Sequence, residues 1–199
     1  MAASLGARVD ALRVTLTPQD IERAYSIANG SEAVRARFHE PYILPVSDDT
    51  VERLEIVTEY RRFVLAAEEQ LRLGNWSVAR GSRSLGGRGI ADDLQPWQGE
   101  VSLIAKLRFN PLNTYESVPE YEIRLGDAVP IKLTRTPTLA LSSAPGRRGT
   151  GLQSHQAILG ATLEAVFEAA AIGQRSQAIR LTLQGEMVKE VTADFARLE

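Results

Sequence analysis

Residues 101–109 alternate between apolar and polar. Val101, Leu103, Ala105, Leu107 and Phe109 share one parity, Ser102, Lys106 and Arg108 the other, and Ile104 is the one break. A period of two predicts a strand with one dry face and one wet face. The pattern recurs at Tyr121, Ile123 and Leu125 against Glu122 and Arg124, and again at Ile179, Leu181 and Leu183. Gln184-Gly185 suits a tight turn, so residues 187–195 are expected to return as the partner strand. Pro130 and Pro137 split the segment between the first two patterns and the last into short pieces. Proline cannot donate to a ladder, so these pieces are expected at sheet edges.

Residues 157–172 fit two periods. Leu159, Leu163, Val166, Phe167 and Ala170 suit a helix, while Leu163, Ala165, Phe167 and Ala169 against Glu164 and Glu168 suit a strand. The neighbouring strands and the lack of a capping residue favour the strand.

Helical spacing dominates the first part of the chain. Thr17 can cap, Pro18 suits the first helical position, and Asp20 favours the positive end of the helix dipole. Ile21, Ala24, Tyr25 and Ala28 then make one stripe, ended by Asn29-Gly30. Ser31 can cap a short second helix carrying Val34 and Phe38, stopped near Pro41. A long helix is expected over residues 49–73, capped by Asp48 or Asp49, with Ile56, Tyr60, Phe63, Val64, Ala67 and Leu71 on its buried face.

These elements predict an α+β protein, with N-terminal helices packed beside a C-terminal antiparallel β-sheet that folds as a β-sandwich. The expected division is an arm over residues 1–16, a helical region over 17–96 with a Gly/Arg-rich loop at 81–91, and an antiparallel β domain over 97–199.

Composition narrows the chemistry. The 199 residues are 44% hydrophobic and 24% charged, with a net charge of −2, which gives no field favouring nucleic acid. Of the 23 basic residues only Lys106, Lys132 and Lys189 are lysines. Cysteine is absent, which removes disulfides, thiolate nucleophiles, Cys-ligated zinc and iron–sulfur clusters. No apolar run reaches the ~20 residues of a membrane-spanning helix. The visible N terminus, Met1-Ala-Ala-Ser-Leu-Gly-Ala-Arg8, has no uninterrupted apolar stretch. That favours a cytoplasmic chain, or an extracytoplasmic one if a signal has been removed or missed.

No catalytic constellation stands out. His39 and His155 have no partner at metal-ligand spacing, and no Gly-x-Ser-x-Gly elbow occurs. Glu120 and Glu122 are explained by strand parity. The glycine-rich loop lacks the Gly-Lys-Ser/Thr ending of a phosphate loop. The expected function is therefore a non-catalytic binding or assembly protein, with a protein partner or self-association, no cofactor and no metal. Arg80, Arg83, Arg88, Trp76 and Trp97 are the candidate partner contacts. A hydrolase using His39, Asp92 or Asp93 is the alternative. An anion or nucleic-acid binder using Arg80, Arg83 and Arg88 is a third reading, although nucleic acid is not the expected partner.

Overall fold

The computed structural model describes residues 16–73, 95–113, 115–140, 157–172 and 176–198. Among them are three α-helices and eight strands, and the strands form two antiparallel sheets, so the fold is α+β.

Helix α1 spans Pro18–Ala28. Its start is a reciprocal cap. Thr17 Oγ1 accepts from the Asp20 N–H at 3.3 Å, and the Asp20 carboxylate accepts from the Thr17 N–H at 2.9 Å. Helix α2, Glu32–His39, begins at Ser31, whose hydroxyl accepts from the Val34 N–H. Pro41 then turns the chain through a short 3-10 segment, Glu40–Tyr42, into strand β1, Ile43–Leu44.

The expected helix over residues 49–73 is corrected at its start. Its first third is strand β2, Val51–Val57, and helix α3 covers only Glu59–Arg72. Val51, Leu54 and Val57 keep a helical spacing of three, which the strand accommodates through a register shift between Val51 and Arg53. The β-branched residues Val51, Ile56 and Val57 and a full antiparallel partner decide for the strand, with Leu54 opposite Ala105 and Ile56 opposite Leu103. The helix cap is Thr58, which accepts from the Arg61 N–H at 3.2 Å. Asp48 caps a turn and not a helix: its carboxylate accepts from the N–H groups of Thr50 and Val51 at 2.8 and 3.2 Å. Those bonds, with Lys189 nearby, hold its carboxyl below the usual range. Because β1 and β2 join the main sheet, the N-terminal part is not purely helical.

The remaining strands are β3 (Glu100–Arg108), β4 (Tyr121–Leu125), β5 (Lys132–Leu139), β6 (Ile158–Glu168), β7 (Ser176–Leu183) and β8 (Glu186–Asp194). Residues 158–168 are thus strand. One sheet runs β1-β2-β3-β6-β5 and the other β4-β7-β8. Along β3 and β6 large faces small: Leu103 opposes Ala165, Ala105 opposes Leu163, and Leu107 opposes Ala161. Such alternation lets facing side chains interdigitate on the dry face. The turn between β7 and β8 has positive φ at both Gln184 and Gly185, the mirror-image geometry that matches strand twist.

Buried residues of both sheets share one core, from Leu54, Leu103 and Leu163 to Ile123, Ile179 and Leu181. A second cluster joins α1 to α3 through Ala24, Ala28, Tyr60, Phe63, Val64 and Ala67, and Phe38 packs against both. Among the described residues, polar side chains also tie the two sheets together. Arg135 of β5 donates to the Tyr121 carbonyl of β4 at 2.7 and 3.2 Å, and Lys189 of β8 donates to the Ser47 carbonyl, before β2, at 3.2 Å. No helix among the described residues is long and apolar enough to cross a membrane.

Candidate functional site

Of the residues singled out from sequence, Trp76, Arg80, Arg83, Arg88, Asp92, Asp93 and His155 lie outside the described residues. His39 and Trp97 lie within them, in two separate polar networks, one at each of the adjacent arginines of α3.

The first network is centred on Arg61, whose side chain is 2% exposed. Thr58 starts α3 so that this arginine, one turn in, points back over the end of β2. Its guanidinium donates to the Ile56 carbonyl at 2.5 Å and to Glu55 at 2.7 Å, and lies over the Tyr42 ring at 5.1 Å. A third donor, Nε, reaches Nδ1 of His39 at 3.4 Å. Burial pulls the guanidinium down from its usual value, and Glu55 opposes the shift. On the far side of the imidazole, Nε2 meets Glu68 at 3.1 Å. An Nδ1 that accepts from arginine leaves the proton on Nε2, which donates to Glu68.

Both ring nitrogens of His39 are therefore engaged. Through these contacts His39 ties the end of α2 to the middle of α3. Glu68 also borders an open groove of about 500 Å³, lined with Ala28, Arg35, Leu65, Leu71 and Arg72. Its charged rim is already paired: Arg72 forks onto Glu69 at 2.6 and 2.8 Å, and Arg35 donates to the Gly30 carbonyl at 2.6 Å.

Arg61→Ala should lower stability by about 2 kcal/mol, the range for losing hydrogen bonds to a charged group. The loss stays moderate because Glu55 keeps its contact with Arg53 at 2.5 Å. Urea unfolding of Arg61→Ala beside Glu68→Ala measures it. A larger loss at Glu68, whose side chain is 22% exposed, would reverse this ranking.

The second network is centred on Arg62. It donates to Ser102 Oγ at 2.7 Å, and Ser102 donates onward to Glu164 at 3.1 Å. Trp97 lies over the guanidinium at 4.2 Å. Trp97 is only partly buried, and its ring covers the arginine. Ser102 is fully buried on the sheet face, so its hydroxyl braces two charged groups and does not reach solvent. Sequence periodicity could not find either network, because each joins residues from different elements. Among the described residues no group of three or more His, Asp or Glu is placed to hold a metal ion.

A further feature is the outer edge of β5, a terminal strand of its sheet among the described residues. The Ala169 N–H donates to the Gly99 carbonyl and the Phe109 N–H to the Leu159 carbonyl, so odd-numbered residues of β6 direct their backbone toward β3. Even-numbered ones face β5, as the Ile131 N–H donating to the Val166 carbonyl confirms. By the paired register, Lys132, Thr134 and Thr136 turn their backbone inward, and Leu133, Arg135 and Pro137 turn theirs outward. Pro137 stands where a missing N–H costs the sheet nothing. Exposed apolar side chains flank the strand, with Ile131 at 55% and Leu139 at 45%.

The chain matches no protein-family model, no curated protein and no solved structure.

Proposed function

We propose that this is a non-catalytic binding or assembly protein that recruits a partner strand to the outer edge of β5. The observation that carries the reading is the row of outward backbone groups at Leu133 and Arg135, beside exposed Ile131 and Leu139. Edges of this kind are either blunted or used, and strand addition draws its affinity from main-chain bonds. The two sheets are read as the layers of a β-sandwich. Their shared core supports this, as do the ties from Arg135 and Lys189.

The test compares proline with alanine at one position. Leu133→Ala should weaken association modestly in pull-down or sizing experiments. Leu133→Pro removes an outward donor and should weaken it at least tenfold more, with circular dichroism showing that the fold survives. Equal effects would reject the edge. A hydrolytic activity abolished by His39→Ala or Asp92→Asn in folded protein would reject the non-enzymatic reading.

A further inference from the structure

We infer that the strand added to β5 is β5 of a second copy, paired antiparallel about a two-fold axis at Thr134. This rests on the edge reading and adds the identity of the partner. Under a two-fold axis at Thr134, Leu133 of each copy opposes Arg135 of the other. Both residues direct their backbone outward, so the two pairs exchange four main-chain bonds. Beyond them Pro137 meets Ile131 of the second copy. Proline has no donor, and the Ile131 N–H is already given to Val166, so the ladder stops at the same place on both sides.

The side chains suit this register. Thr134 meets itself, Lys132 meets Thr136, and exposed Ile131 meets Pro137, so no like charges stand directly opposite. The two Arg135 side chains are offset along the strands, and each is tied to the Tyr121 carbonyl of its own copy. An axis placed at Arg135 would instead set the arginines face to face. The apolar exposure on either side of Thr134, Val129 and Ile131 before it and Leu139 after it, is brought together by the same rotation.

The axis supplies a sharp test. Thr134 turns its backbone toward β6, so across the axis it forms a non-hydrogen-bonded pair, with Cα atoms ~4.5 Å apart. That lies within disulfide range, and the chain has no cysteine of its own. Under mild oxidation the full-length Thr134→Cys variant should cross-link into a covalent dimer in more than half of the chains. Lys132→Cys, displaced from its counterpart along the strands, should cross-link at least tenfold less. Light scattering on a concentration series should show a dimer for the unmodified chain and for Leu133→Ala, and a monomer for folded Leu133→Pro. Three outcomes would overturn the inference: a monomer at every concentration, equal cross-linking at both positions, or a dimer that persists in Leu133→Pro without Thr134→Cys cross-linking. If the chain is monomeric but Leu133→Pro still abolishes capture of another protein, the second copy is rejected and the edge reading stands. If Leu133→Pro changes neither, both fall.

Discussion

Gly160→Ala is expected to lower stability by at least about 3 kcal/mol, at the severe end of the cost of adding a methyl group to a packed interior. Gly160 opposes Arg108 near the end of the β3–β6 pairing. A Cβ at this position would stand 2.2 Å from the Leu107 carbonyl oxygen and 3.2 Å from its carbon. The obstacle is backbone, so no rotamer change relieves it. The two strands would have to separate, in the central pair of the five-stranded sheet, beside the buried Leu107 and Ala161. Close approach of one chain to another is a reason for glycine within a strand. Gly185 provides the contrast. It has a φ of +84° and nothing within 4 Å of an added Cβ, so alanine there meets only the left-handed backbone cost of ~1–2 kcal/mol. Urea unfolding of the two variants should rank Gly160→Ala well below Gly185→Ala. A Gly160→Ala loss under 1 kcal/mol would mean the strands are not this close.

Phe63→Ala should cost about 3–5 kcal/mol. Phe63 is 1% exposed, at the centre of the cluster that joins α1 to α3. Its ring meets Tyr25 edge-on at 5.4 Å and 79°, a contact that adds to the loss of buried area. Val64 and Ala67 are fully buried beside it, and α1 offers Ala24 and Ala28, which are too small to collapse into the space. The cavity term is therefore expected in full. Leu65, two residues on, is exposed, and Leu65→Ala should stay within about 0.5 kcal/mol. Denaturant unfolding of both variants checks the face of α3 directly. Similar losses at the two positions would show that α3 is rotated from the orientation described.

By itself the sequence determined the class of the fold and most of its elements. The alternation at residues 101–109, 121–125 and 179–183 placed β3, β4 and β7, because a strand with one dry face writes its period into the chain. Local caps were equally legible: Thr17 with Asp20, and Ser31. Gln184-Gly185 made its turn for the same reason, since a two-residue loop with two positive φ values depends on those two residues. Pro137 pointed to an edge through its missing donor.

Tertiary structure decided what local patterns leave degenerate. Residues 51–57 suit helix or strand, and pairing with β3 settled them; Thr58 followed by Glu59 was the signal available for the later helix start. Arg61 looks like any charged residue on a helix, yet it is buried, because Glu55, Ile56, Tyr42 and His39 converge on it from three other elements. Gly160 carries no sequence mark of its own, and only the nearness of the Leu107 carbonyl makes it obligatory. The outward direction of the Leu133 and Arg135 backbone groups depends on the register of β5 against β6. A shift of one residue would exchange inward for outward, and that register is set by packing across the sheet.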